Sequence, residues 1–363
     1  MRNACIIVKT EKSKISQSNF TLTDLFTASG YSFEELRVFF FAEANALKKG
    51  VKQLKDDYDN LLFIACGLPI SSIKNALNGV FLENGFQESE NGAGIYTEEN
   101  KSLCLVTAQD SAYVKDVYVP FLQRKSGVRL AKTVIRSVGA STARVASLLA
   151  NANNLAQGKM DFSHTRRYDE DVIEIVYGES VSKFLIDDVV RVFAEGLGDT
   201  VYALDNTSLE EQLVQLLKLR GKKISVAESF TGGGIAKKIT SVSGASEVYF
   251  EGLNTYNEVS KIKRLGVLEY TLKTVGAVSD QTAYEMATGL LATGDCDISI
   301  ATTGLAGPKS DKSLLPVGLC YIAVGTKERV FVYRYKFDGT REDITNTAIN
   351  YALYLAYKQL KNM

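Results

Sequence analysis

Ser229 stands in the stretch of this chain with the clearest capacity for chemistry. It follows a short apolar run at 224–228, typical of a buried strand, and it begins a turn that contains Thr231, Gly232 and Gly233. The turn is predicted to open a helix, whose first N–H groups are unpaired and can hold a phosphate or an oxyanion. The alternative is that Ser229 or Thr231 only caps this helix while the glycines only turn the chain.

A serine needs a base before it can attack an amide, and the chain offers few candidates. Its single histidine, His164, falls in a different predicted domain, on a loop or a strand edge, which argues against a Ser-His-Asp triad. A lysine can serve as the base if burial brings its pKa from about 10.4 towards about 7–8. Lys261, directly or through Tyr256, is the nearest candidate. Taken alone, such residues are more often a surface amine and a packed ring.

Two later segments could bind a substrate at the same place. A predicted strand at 297–302 leads into Thr303 and Gly304, and Arg341 lies at the start of the last predicted helix. Arginine can donate paired hydrogen bonds to a phosphate. The alternative is that 304–308 is a plain turn and that Arg341 is a solvated charge.

The order of predicted elements indicates an α/β chain in three parts. Residues 1–128 alternate strands with helices, as in a doubly wound, mostly parallel sheet. Ligands would bind beyond the ends of its strands, but those positions lack paired carboxylates and a glycine-rich cradle, so we expect no active site there. Residues 129–205 follow the order β-α-β-β-α-β of a small split βαβ domain, with an amphipathic helix that buries Phe184. Residues 206–363 form the α/β domain that carries the candidate site.

The composition of the chain argues against several classes of protein. The 363 residues are 45% hydrophobic and 23% charged, with a formal net charge of zero. This is ordinary for a globular protein, and we expect no direct nucleic-acid partner and no membrane partner. The five cysteines are scattered without metal-ligand spacing, so we expect buried thiols and no metal site. No signal peptide or membrane-length apolar run is found, and we therefore expect a cytoplasmic protein.

Taken together, the motifs of the C-terminal part resemble the competence/damage-inducible protein A (CinA) family. In chain order they are Ala227-Glu-Ser-Phe-Thr-Gly-Gly, Thr255-Tyr256 with Lys261, Leu265-Gly266-Val267, Gly276-Ala-Val-Ser279, Met286-Ala287, Thr303-Gly-Leu-Ala-Gly-Pro308 and Pro316-Val317-Gly318. The resemblance covers all of residues 206–363 and is weaker upstream. It implies a homodimeric nicotinamide-nucleotide amidase that needs neither metal nor cofactor. The substrate would be nicotinamide mononucleotide, hydrolysed to nicotinate mononucleotide and ammonia.

The resemblance also implies roles for individual residues. Ser229 matches the family's nucleophile, and Lys261 and Tyr256 match its lysine and tyrosine, with base and proton-relay roles. The oxyanion would be stabilised by N–H groups around Thr231, Gly232 and Gly233, and the phosphate would be held by Thr303, Gly304 and Arg341. The sequence leaves open which of the two loops takes the phosphate and which the oxyanion.

Three departures from the family pattern bear on function. Residues 309–313 replace a Gly-Gly pair with a bulkier sequence that could alter substrate fit, and Phe230 stands where cysteine is common, which we interpret as a packing change. In the first domain, which resembles molybdopterin-binding proteins, Lys9-Thr10-Glu11 replaces a Gly-Asp-Glu turn. Without the metal-binding carboxylates we expect no ADP-ribose pyrophosphatase activity. The alternative to the amidase is a catalytically silent nucleotide-binding or assembly protein linked to competence or DNA repair.

Overall fold

The computed structural model describes residues 1–42, 44–80, 85–86, 88–89, 92–127, 129–308 and 314–363. The altered loop at 309–313 therefore lies outside the described residues. The chain forms two compact units. One comprises Met1–Lys132, Gly158–Asp161 and Ile175–Ser182, and the other comprises Thr133–Gln157, Phe162–Glu174 and Lys183–Met363. The three sheets confirm the predicted α/β class, whereas the predicted domain boundaries at 128/129 and 205/206 stay predictions.

The first sheet is mostly parallel, as predicted. Its strands are β1 (Asn3–Lys9), β2 (Glu35–Phe40), β3 (Asn60–Cys66), β4 (Gly85–Phe86), β5 (Gly94–Glu98) and β6 (Lys101–Thr107). They follow the order β2-β1-β3-β6-β5-β4, parallel from β2 to β6 and antiparallel at β5 and β4. The sequence pattern does not predict the short strands β4 and β5. The helices are α1 (Gln17–Ala28), α2 (Ala44–Asp57), α3 (Ile70–Leu77), α4 (Ser111–Tyr113) and α5 (Val119–Ser126), with a π-helical segment at Val114–Tyr118.

The second sheet has the predicted β-α-β-β-α-β order. Its elements are β7 (Leu130–Val138), α6 (Thr142–Ala156), β8 (Met160–Arg167), β9 (Glu170–Gly178), α7 (Lys183–Leu197) and β10 (Val201–Ala203), with the strand order β10-β7-β9-β8. The predicted burial of Phe184 is wrong, since its side chain is 84% exposed. The buried stripe of α7 runs through Val189, Phe193 and Leu197. Phe184 is five residues before Val189. At about 100° per residue, its side chain lies about 140° around the helix axis from that stripe.

His164 lies on the edge strand β8, which agrees with the strand-edge prediction. Its Nε2 atom is 2.9 Å from Oδ1 of the fully buried Asp171, which also accepts hydrogen bonds from Arg166. The histidine is therefore part of a polar cluster within one hairpin and belongs to a different sheet from Ser229.

The third sheet and its helices carry the candidate site. The strands are β11 (Ile224–Glu228), β12 (Tyr249–Asn254), β13 (Ile298–Gly304), β14 (Leu319–Thr326) and β15 (Val330–Lys336), in the order β12-β11-β13-β14-β15. The helices are α8 (Leu209–Arg220), α9 (Gly234–Thr240), α10 (Glu258–Leu265), α11 (Glu269–Thr274), α12 (Asp280–Ala292) and α13 (Arg341–Lys361). Strands β12, β11 and β13 are parallel to one another. Because parallel strands end at the same edge, the residues that follow these three strands lie together.

Side-chain caps fix where two helices at this edge begin. Oδ1 of Asn257 accepts a hydrogen bond from Val259 N at 2.9 Å and so starts α10. Thr340 and Asp343 form a reciprocal capping box at the start of α13. These caps place Lys261 and Arg341 in the first turns of their helices. In the part of the chain that the structure describes, no helix combines the length and the apolarity needed to cross a membrane.

Candidate active site

The structure brings Ser229 and Lys261 into contact at the carboxyl edge of the third sheet. Ser229 directly follows β11, and its N–H donates to Thr302 O on the adjacent β13 at 3.1 Å. Lys261 extends from α10, and its Nζ lies 2.9 Å from Ser229 Oγ. The two residues predicted as nucleophile and base are thus within hydrogen-bonding distance.

The amine of Lys261 is almost completely removed from water. The residue is 1% exposed, and its Nζ contacts the carbonyl oxygens of Thr255 at 2.6 Å and Tyr256 at 3.4 Å. Burial lowers the pKa of Lys261 to about 8, although the nearby charge of Glu258 acts in the opposite direction. The alternative of a surface amine is therefore wrong, and the amine has the character that a general base at neutral pH needs.

The carboxylate of Glu228 lies at the start of α9, although the residue itself ends β11. The sequence analysis does not predict this contact. Its carboxylate, 1% exposed, accepts hydrogen bonds from the N–H groups of Gly233, Ile235 and Ala236 at 3.0, 3.1 and 2.8 Å. Gly232 N donates to Ser229 O at 3.1 Å. The N–H groups of Gly232 and Gly233, predicted to stabilise the oxyanion, are thus already engaged. An acidic side chain just before a glycine-rich helix start was the signal that could have shown this.

The side chain of Thr231 also has an internal partner. Its Oγ1 lies 2.8 Å from Thr302 Oγ1, and both hydroxyls are buried. Neither Ser229 nor Thr231 caps α9 through its side chain, so the capping alternative is wrong. Within the described ranges, the main-chain N–H groups of Phe230 and Thr231 have no acceptor. These two consecutive N–H groups are therefore the unpaired main-chain donors of this turn. The Phe230 side chain lies in the core, as the packing interpretation expects.

Tyr256 and Arg341 form the outer part of the site. The Tyr256 side chain is 62% exposed, so the packed-ring alternative is wrong. Its hydroxyl accepts a hydrogen bond from Arg341 Nη2 at 3.1 Å, and Arg341 Nη1 donates to Gly307 O at 2.8 Å. No hydrogen bond joins the Tyr256 hydroxyl to Ser229 or Lys261, which gives the predicted proton relay no path. The exposed, anchored guanidinium retains the capacity to bind an anion.

Thr303 and Gly304 both have structural contacts with neighbouring elements. The Thr303 hydroxyl is 1% exposed and donates to Ala277 O at 2.5 Å, so it holds the segment before α12. A Cβ added at Gly304 would lie 2.6 Å from Cys320 Cβ on β14. Glycine is therefore required there for close strand packing. Of the side chains predicted to hold a phosphate, that of Arg341 is exposed and that of Thr303 is buried.

The C-terminal part of the chain is similar to proteins of a known family. Residues 206–360 match the family described as CinA C-terminal domain. A competence-damage inducible protein of Caldicellulosiruptor saccharolyticus is 38% identical over 254 residues, 68% of this chain and 61% of the relative. The chain belongs to the CinA family. Another relative is a CinA-like protein of Kosmotoga olearia, 39% identical over 175 residues, 48% of this chain and 42% of the relative. The chain thus matches less than two thirds of the length of these relatives.

Among solved structures, the competence/damage inducible protein CihA from Agrobacterium tumefaciens is 36% identical. The alignment covers 40% of this CinA-family chain and 90% of the other, with a TM-score of 0.39.

All five cysteines of the chain are buried and free of disulfides, as predicted. Within the described residues, no three His, Cys, Asp or Glu side chains gather as a group that could hold a metal ion.

Proposed function

We propose that this CinA-family chain hydrolyses the carboxamide of nicotinamide mononucleotide to nicotinate mononucleotide and ammonia. The supporting observation is the 2.9 Å contact between Ser229 Oγ and a buried lysine whose pKa is about 8. A hydroxyl beside an amine that is partly neutral at physiological pH is an activated nucleophile for acyl transfer. The resemblance to the family supplies the identity of the acyl group.

The surroundings of Lys261 suit a neutral amine. An uncharged lysine has two N–H donors and one lone pair. The carbonyl oxygens of Thr255 and Tyr256 can accept both N–H bonds, which leaves the lone pair for the proton of Ser229 Oγ. Lys261 then removes that proton while Oγ attacks the carboxamide carbon. The developing oxyanion would be stabilised by the free N–H groups of Phe230 and Thr231, each well-placed donor lowering the barrier by about 3 kcal/mol.

The remaining steps reuse the same amine. Protonated Lys261 delivers its proton to the leaving nitrogen, ammonia departs, and an ester links the nicotinate group to Ser229 Oγ. Water, deprotonated by neutral Lys261, attacks this ester. The bond between the acyl carbon and Ser229 Oγ then breaks, Lys261 returns the proton to Oγ, and nicotinate mononucleotide leaves. One water molecule is consumed and one ammonia is formed, so the cycle returns Ser229 and Lys261 to their starting states.

The Tyr256–Arg341 pair would recognise the rest of the substrate. Tyr256 contacts Lys261 through its carbonyl and Arg341 through its hydroxyl, so its side chain extends from the base to the exposed cation. A nucleotide whose carboxamide lies at Ser229 and whose phosphate lies at Arg341 would pass along this exposed ring. The positively charged pyridinium ring of the substrate would gain from contact with an aromatic face.

Ammonia release from nicotinamide mononucleotide tests the proposal. We expect wild type to release ammonia, Ser229→Ala to release none, and Ser241→Ala, a matched change at the end of α9 outside the site, to behave as wild type. Equal inactivity of wild type and Ser229→Ala, with nucleotide binding retained, would instead support a silent nucleotide-binding or assembly protein. Homodimerisation and the loss of ADP-ribose hydrolysis are further proposals, to be measured by light scattering and by metal-dependent AMP release.

A further inference from the structure

Glu228 is a buried carboxylate beside the candidate nucleophile, and the proposed reaction gives it no chemical step. It is the last residue of β11 and directly precedes Ser229. Its side chain turns forward along the chain and accepts three hydrogen bonds at the start of α9, from Gly233, Ile235 and Ala236. Within the described residues it forms no ion pair, so main-chain N–H groups satisfy its charge.

We propose that Glu228 is a positioning residue for the amidase, which holds the Ser229 turn in the geometry that acyl transfer needs. The inference rests on the proposed function. Glu228 touches neither Ser229 Oγ nor Lys261 Nζ through a hydrogen bond, so it acts through the main chain of the turn. Because the same side chain joins the end of β11 to the start of α9, residues 229–232 are held at both ends.

The hydrogen bonds of the turn show which of its main-chain N–H groups are bound and which are unpaired. Ser229 N is bound to Thr302 O, Gly232 N is bound to Ser229 O, and Gly233 N is bound to the Glu228 carboxylate. Only the N–H groups of Phe230 and Thr231 are left for a ligand in this stretch of described chain. With Gly233 N bound to the carboxylate, the unpaired donors of the turn are limited to these two N–H groups. It also places a negative charge where the helix start would otherwise attract the phosphate of the substrate.

A simple helix cap would predict a different result from a positioning residue. Loss of a cap lowers stability and leaves the turnover of the folded enzyme unchanged. Loss of a positioning group lowers kcat, because donors that stabilise only the transition state are misplaced while ground-state binding is kept. The ratio of the effects on kcat and KM therefore separates the two roles.

Three variants, assayed as full-length protein with nicotinamide mononucleotide, provide the test. Glu228→Gln keeps the shape of the side chain but turns an amide NH2 group towards N–H donors, and we expect kcat to fall at least about tenfold with KM within about twofold. Glu228→Asp restores the charge with a shorter reach, so we expect an intermediate kcat. Glu247→Gln, an exposed carboxylate paired with Lys218, is the matched control and should behave as wild type.

Each possible result of these assays either supports or overturns the positioning role of Glu228. Glu228→Gln with unchanged kcat, or with a changed KM alone, would overturn it, and if that variant does not fold, an unchanged kcat of Glu228→Asp would overturn it. Phosphonylation of Ser229 Oγ by a fluorophosphonate, with loss of fluoride, gives a readout that does not depend on the natural substrate. If wild type is labelled but does not deamidate the nucleotide, the proposed function fails, while slower labelling of Glu228→Gln still supports the role of Glu228. A wild type with neither labelling nor turnover overturns both.

Discussion

The pKa of Lys261 predicts how activity depends on pH. With a pKa of about 8, the amine is neutral in about a tenth of molecules at pH 7, whereas an amine at the ordinary value of 10.5 would be neutral in about one in 3,000. Burial therefore raises the population of active base about 300-fold at pH 7. We expect kcat/KM for deamidation to rise about tenfold per pH unit below 8 and to level off above it.

The same pKa should appear in folding stability, which gives an independent measurement. A lysine whose folded-state pKa is below its unfolded value binds fewer protons when folded, so the free energy of unfolding rises with pH between about 8 and 10.5. The shift from 10.5 to about 8 corresponds to about 3 kcal/mol. In Lys261→Met this contribution is absent, so the difference in unfolding free energy between wild type and variant should change by about 3 kcal/mol across that interval.

The assay is ammonia release between pH 6.5 and about 9.5, above the range in which the substrate phosphate titrates at about pH 6. Lys261→Arg keeps a cation that does not lose its proton, and it should be inactive at every pH. Urea unfolding of wild type and Lys261→Met between about pH 7 and about pH 11, which includes both pKa values, supplies the stability difference. A kcat/KM that is constant from pH 6.5 to 9, or a stability difference that does not depend on pH, would refute the assignment of Lys261 as a neutral base.

Three further predictions follow from contacts of the C-terminal part. Arg341→Gln should raise KM for nicotinamide mononucleotide about 10- to 100-fold and leave nicotinamide riboside, which lacks the phosphate, unaffected in steady-state assays. Gly234→Ala places a Cβ 2.3 Å from Ile349 Cδ1; denaturant unfolding should show a loss of about 1–3 kcal/mol, largely recovered in the double variant with Ile349→Val. Asn350→Ala removes the buried link from Lys238 to Tyr168 O and should cost about 1–3 kcal/mol, whereas Asn346→Ala on the same helix should stay within about 0.5 kcal/mol.

Sequence patterns were sufficient to predict those parts of the fold that one local signal determines. The two ends of α8 are of this kind, because a Ser208–Glu211 capping box starts the helix and Gly221 ends it. The contact between Ser229 and Lys261 followed from the resemblance, and its physical cause is that β11 and β12 are parallel neighbours that end at one edge. The short helices α10 and α11 have too few turns for a periodic signal, and no pattern predicts them.

Side-chain direction was the main source of error at the site. Successive residues of a strand point to opposite faces, and Thr302 and Thr303 show this: one hydroxyl meets Thr231 and the other meets Ala277 O. The sequence places the two threonines side by side at the end of a predicted strand and cannot tell which hydroxyl faces the ligand. Glu228 was overlooked because its partners are main-chain N–H groups, and its position just before a glycine-rich helix start was the one sequence signal for that role.

Glu228 and Lys261 are both buried ionisable residues, and both have main-chain groups as hydrogen-bond partners. Main-chain N–H groups hold the carboxylate, and main-chain carbonyl oxygens hold the amine. A direct ion pair between these two side chains would raise the pKa of the lysine above about 8 and reduce its neutral fraction at pH 7 below about a tenth. Main-chain carbonyl oxygens carry no full charge and raise that pKa less, so the site can keep a carboxylate beside Ser229 and still have an amine that is neutral in about a tenth of molecules at pH 7. The depressed pKa of Lys261 thus depends on the folded turn and on α10, and neither residue could supply it alone.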